Sequence, residues 1–117
     1  MVTLDDVRRL ALPLPGTYEA LIRDRIKFKV GRIVYLSVAP DELSMGFAFP
    51  KEERAALVAA EPAKFGLPIP SDLRYNWARV RLTEIELDEL SELVPDAWSL
   101  AVPKRVSAAY FEGLGKR

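Results

Sequence analysis

Between Thr17 and Val38 the chain alternates with a period of two, and no other feature restricts its fold as tightly. Ile22, Asp24, Ile26 and Phe28 interleave with Arg23, Arg25, Lys27 and Lys29, the signature of a strand with one cationic face. A second run, Arg32 to Val38, follows Gly31. The pattern predicts a hairpin with a three-residue loop, Lys29-Val30-Gly31, in which Gly31 supplies the left-handed conformation. In that register Ile26 faces Val34 and Phe28 faces Arg32. The inward side is then Ile26, Phe28, Val34, Leu36 and Val38, and a one-residue slip would mix cations into it.

The flanking segments fit around such a sheet. Thr3 is a capping residue with Asp6 three positions on, and Leu4, Val7, Leu10, Ala11 and Leu14 recur at helical spacing until Pro13 and Pro15-Gly16 turn the chain. Ala39 to Glu42 reads as a turn. Leu43, Met45, Phe47 and Phe49 give one face of a third strand. Pro50 opens a short helix over Lys51 to Glu61, stopped by Pro62. Phe65 to Leu73, with Gly66, Pro68 and Pro70, reads as a stiff loop. From Tyr75 to Thr83 alternation returns, with Ala78, Val80 and Leu82 against Trp77, Arg79 and Arg81. Leu87, Leu90, Leu93, Val94, Ala97, Trp98 and Ala101 form a last helical stripe, which Pro95 is expected to divide into two helices.

These elements predict one α+β domain over residues 1–117: two layers, an antiparallel sheet of about five strands, helices on one face. The other face is left open. Period two assigns to it Arg23, Arg25, Lys27, Ile33, Tyr35, Ser37, Ser44, Gly46, Ala48, Trp77, Arg79 and Arg81, whose charged members are all cations. Residues 82–103 carry Glu84, Glu86, Asp88, Glu89, Glu92 and Asp96 and no base, so the formal net charge of zero conceals a dipolar molecule. Three readings of the basic face stay open. It contacts nucleic acid, with phosphates on the cations and bases on the aromatics. It docks an acidic protein surface. Or it is solvated, its arginines lying over Tyr and Trp.

Composition removes most chemistry. With no histidine and no cysteine there is no Ser-His-Asp triad, thiol nucleophile, zinc site or disulfide. The glycines form neither G-x-G-x-x-G nor a Walker A loop, and no Ser precedes a Lys by three positions. The carboxylate pairs Asp5/Asp6, Asp41/Glu42 and Asp88/Glu92 read as solvated surface rather than metal ligands. The expectation is a protein without enzymatic activity, cofactor or metal. Met1 to Asp6 lacks a signal-peptide pattern and no apolar run spans a bilayer, so the expected compartment is the cytoplasm, with no membrane partner.

Four ordered pieces carry a resemblance: Leu14-Pro15-Gly16-Thr17-Tyr18-Glu19, Phe28 to Leu36, Asn76 to Leu82, and Ala101 to Val106. Together they resemble the YjbR/MmcQ-like family of small bacterial proteins, to which DNA binding is commonly attributed. The resemblance implies a two-layer fold of the type shared with secretion chaperones, and it brings no catalytic residue or cofactor. The resulting expectation is a DNA-binding module, monomer or weak homodimer. Arg23, Arg25, Lys27, Arg79 and Arg81 are placed on phosphates, Tyr35 and Trp77 on bases, and Lys29, Arg32, Lys104 and Arg105 at the periphery. The alternative is a protein-interaction or chaperone-like module that takes an acidic partner on the same face.

Overall fold

The computed structural model describes residues 1–114. Helix α1 (Leu4–Ala11) starts as its sequence dictates. Thr3 Oγ1 accepts the Asp6 N–H at 3.3 Å, and the Asp6 carboxylate accepts the Thr3 N–H at 2.9 Å. That backbone bond holds the Asp6 carboxyl below the usual carboxylate range.

Six antiparallel strands follow, in the spatial order β1-β2-β3-β4-β6-β5. They are β1 (Thr17–Ile22), β2 (Arg25–Val30), β3 (Ile33–Val38), β4 (Ser44–Ala48), β5 (Phe65–Gly66) and β6 (Trp77–Arg81). Helix α2 (Lys51–Ala60) separates β4 from β5, and α3 (Leu87–Ser99) and α4 (Lys104–Gly113) close the chain. Leu4, Val7 and Ala11 of α1, Leu57 and Val58 of α2, Leu90, Val94, Ala97 and Trp98 of α3, and Val106 and Tyr110 of α4 pack into one core with the inner face of the sheet. Registers carry inner rows straight across it: Ile26, Val38, Met45, Val80, Phe65, and beside them Phe28, Leu36, Phe47, Ala78.

Several expectations change. The run from Thr17 to Phe28 is two strands, because folding back at Arg23-Asp24 gives six residues of backbone a partner that one long strand would lack. Arg23 therefore sits at a hairpin apex with φ 60, not mid-strand. The β2–β3 loop is Gly31-Arg32 alone, with Gly31 at φ +60, and Ile26 faces Val38 while Phe28 faces Leu36. Between those pairs and Lys29–Val34 lies a bulge whose extra residue is Tyr35. The bulge shifts the alternation by one. Val34, expected inside, lies across from Lys29 on the open face, and Tyr35, expected outside, is 0% exposed. Its hydroxyl bonds Thr17 Oγ1 at 2.8 Å, and burial pushes its pKa up to about 12.

Helix α3 is continuous through Pro95, since its buried stripe Leu90, Val94, Ala97 and Trp98 must stay on one face to fill the core. Helix α4 and the short β5 complete the core. Trp98 meets the rings of Tyr110 and Phe111 edge-on and donates its indole N–H to the Pro15 carbonyl at 2.9 Å.

Candidate binding cleft on the open sheet face

The open face is organised in cross-strand rows. Ala20, Lys27, Ser37, Gly46, Arg79 and Gly66 form one row through all six strands. Ser44 and Arg81 lie to one side of it, and Ala48 and Trp77 to the other. Gly46 is what allows this row to hold an indole. A Cβ there would lie 2.5 Å from Trp77 Nε1, 2.6 Å from Cζ2 and 2.7 Å from Cε2, so Trp77 rests in space that only glycine leaves empty.

One wall of the face is the segment between β5 and β6, which contains a turn of 3-10 helix at Pro70–Asp72. Arg54, on α2 and only 8% exposed, holds it from behind. Its guanidinium donates to the carbonyls of Leu73 (2.8 Å), Tyr75 (3.1 Å) and Trp77 (2.8 Å). Asn76 Oδ1 accepts the Lys51 N–H at the start of α2, tying wall to helix. From the sheet side Arg79 Nε donates to the Leu67 carbonyl at 3.0 Å, and Arg81 reaches the Pro62 and Ala63 carbonyls.

Sheet and wall enclose a cleft of about 650 Å³. Its floor includes Arg25, Lys27, Ser37, Gly46, Trp77 and Arg79; Pro68, Ile69, Asp72, Tyr75 and Asn76 come from the wall, and Ile33, Val34 and Leu100 complete the lining. Arg25 is folded onto the floor, with Nε on Ser37 Oγ at 2.8 Å and a second nitrogen on the Ser37 carbonyl. These bonds orient the guanidinium and leave its charge uncompensated. Among the described residues no carboxylate pairs with Arg25, Lys27 or Arg79, and the ion pairs cluster elsewhere: Arg8 with Asp5 and Glu19, Arg9 with Asp6, Lys64 with Glu61 and Glu89, and the N-terminus with Glu86. The Lys64 pairs raise that amine's pKa, through the Glu89 hydrogen bond first.

Of the residues expected on this face, Arg25, Lys27, Trp77 and Arg79 meet in the cleft. Arg81 shares the face at its β5 edge. Lys29 lies over the Tyr18 ring, 5.8 Å from its centroid, on the β1 side. Arg23 and Arg32 sit in exposed hairpin turns, and Lys104 and Arg105 start α4, away from the cleft lining. Tyr35 is removed from the site altogether. Its place as an accessible aromatic falls to Tyr18, half-exposed beside Lys29, and to Tyr75 on the wall. Tyr18 was legible once β1 is counted as a strand. Tyr75 has the parity of Trp77 and Arg79 in the alternating run from Tyr75 to Thr83, whereas nothing in the sequence places Asp72 and Asn76 at the cleft, because only the path of the wall over the sheet brings them there.

Fold and site together define a two-layer α+β protein whose sheet leaves one side open and holds a cationic, aromatic-bearing cleft on it. The chain belongs to the YjbR family, whose profile matches residues 12–100. The Mycobacterium tuberculosis protein Rv2570, described as uncharacterised, is 30% identical over 133 residues that cover 98% of this chain and 100% of its own. The Mycobacterium bovis protein Mb2600 matches to the same extent. The crystal structure of Deinococcus radiodurans protein DR2400 superimposes with a TM-score of 0.76 at 24% identity, covering 98% of this chain and 89% of that one. At that identity the likeness speaks for the fold. No helix among the described residues is long and apolar enough to cross a membrane.

Proposed function

We propose that this protein is a non-catalytic binding module that takes nucleic acid, in single-stranded form, into the cleft on its open sheet face. The observation that carries this reading is the meeting of three cations free of carboxylate partners, Arg25, Lys27 and Arg79, around the partly exposed indole of Trp77. Phosphates would take the cations and an unstacked base would lie against the indole, the combination that binds single strands with little sequence preference. A duplex cannot offer a base to a recessed aromatic without unpairing it, which favours the single strand.

The test is a fluorescence titration with a single-stranded DNA oligonucleotide at several salt concentrations. Trp98 is buried, so quenching reports on Trp77. Three neutralised phosphates give a slope of log K against log salt near ~−2. Absence of quenching at low salt, or a flat salt response, refutes the reading. The apolar part of the cleft lining supports a second one, an acidic protein segment: Ile33 on the sheet and Ile69 on the wall are 52% and 53% exposed. Capture of an acidic partner that resists nuclease and is lost in Arg79→Glu would favour it.

A further inference from the structure

The sheet has two edges, and they differ. At one end β5 is two residues long, and the chain before β6 wraps it. At the other end β1 spans six residues, and among the described residues no strand pairs with its outer edge. Edge strands are usually blunted by lysine, proline, a bulge or a covering loop. Residues 17–22, Thr-Tyr-Glu-Ala-Leu-Ile, contain none of these residues, and the strand pairs with β2 without a break. Its one charge is already answered inside the chain, since Arg8 Nε and a terminal nitrogen hold the Glu19 carboxylate at 2.9–3.2 Å. Leu21 is nevertheless 68% exposed and Tyr18 44%.

We propose that β1 is a homodimer interface, pairing antiparallel with β1 of a second copy about a two-fold axis at Ala20. The hairpin geometry sets the register. Ile22 and Arg25 close a two-residue turn, so that pair is hydrogen-bonded and the alternation turns the backbone groups of Leu21 and Glu19 outward. The same parity turns Thr17 outward, and its N–H indeed leaves the ladder for the Leu14 carbonyl. Centring on Ala20 sets Glu19 against the partner's Leu21 and Leu21 against the partner's Glu19, which gives four backbone hydrogen bonds. On the open face Tyr18 meets the partner's Ile22, an aromatic–β-branched pair. Centring on Glu19 instead would oppose two carboxylates and need the Thr17 N–H that Leu14 already holds. Centring on Leu21 would require Arg23, which is in the turn, to pair as strand. A protein of zero formal net charge offers no long-range repulsion to such a dimer. Four hydrogen bonds and a narrow apolar strip make it weak, so it forms at high protein concentration.

The chain lacks cysteine, which gives a direct test. At Ala20 the two copies form a non-hydrogen-bonded pair with Cα atoms ~4.5 Å apart, inside the disulfide range of about 4.4–6.8 Å. Ala20→Cys should give a disulfide-linked dimer in a glutathione redox buffer, and Tyr18→Cys, four residues out of register with itself, should not. Leu21→Pro removes an outward N–H without touching a bond to β2, and should weaken the dimer about ten-fold or more by sedimentation equilibrium with unchanged circular dichroism. If that variant does not fold, Leu21→Lys takes its place with the same expectation. A wild-type monomer at millimolar concentration, cross-linking at Tyr18→Cys in preference to Ala20→Cys, or undiminished dimer in the folded Leu21 variant overturns the proposal.

Discussion

Gly46→Ala tests whether the indole of Trp77 is fixed where the cleft requires it. The new Cβ would stand 2.5–2.7 Å from three indole atoms, so the ring must leave the row or the strands must spread. Overpacking of this kind costs about 1–3 kcal/mol. Replacing a strand glycine with alanine returns roughly 0.5–1 kcal/mol through the unfolded chain, because Gly46 does not need positive φ. The net effect is a loss of roughly 0.5–2 kcal/mol. In a Trp77→Ala background the obstruction is gone and only the gain remains, so there the same substitution stabilises. Urea unfolding of the four proteins of this cycle measures the coupling, expected at ~1–3 kcal/mol. Gly46→Ala should also shift Trp77 emission and weaken oligonucleotide binding. Additivity within about 0.3–0.5 kcal/mol would refute the contact, and with it the claim that a glycine on β4 shapes the cleft.

Three further outcomes follow from other parts of the molecule. Arg54→Met, which strips three partly buried carbonyls of their donor, should lower stability by about 1–3 kcal/mol and speed hydrogen exchange over residues 73–77, measured by mass spectrometry. Tyr35 holds its proton more tightly folded (pKa about 12) than in the unfolded chain, where a tyrosine titrates at its ordinary value of 10.0, so its contribution is complete below pH ~10 and is lost as pH rises through 12. Alkaline unfolding should show that loss, on the order of 2–3 kcal/mol, and Tyr35→Phe should remove it. Among the described residues Asp72 is the one carboxylate lining the cleft, and Asp72→Asn should tighten binding of an anionic oligonucleotide several-fold at low salt, an advantage that shrinks as salt is added.

Local chemistry wrote much of this protein into its sequence. The Thr3/Asp6 capping box, the glycine turn at Gly31, the apolar spacing of Leu90, Val94, Ala97 and Trp98 and the alternation of β6 each depend on neighbours a few positions away, so each was legible, whereas the unbroken course of α3 through Pro95 was not. The same alternation placed Arg25, Lys27, Trp77 and Arg79 on one face, and the coordinates bring those four into one cleft.

What tertiary structure decided lies wherever a residue had two locally acceptable places. Period two alone cannot count a bulge, and the Tyr35 hydroxyl finds a partner in the core's margin, Thr17, that stands 18 positions away in sequence and 2.8 Å away in space. Nor can it say that residues 67–76 fold over the sheet, a path fixed by Arg54 from one side and by Arg79 from the other. Away from the β3 bulge and the β1–β2 turn, sequence settled which side chains share a strand face, since that follows from backbone pleating. Whether the face becomes a flat patch or a walled cleft depended on the carbonyls of residues 67–77 finding arginine donors on α2 and β6, and only the folded chain brings those together.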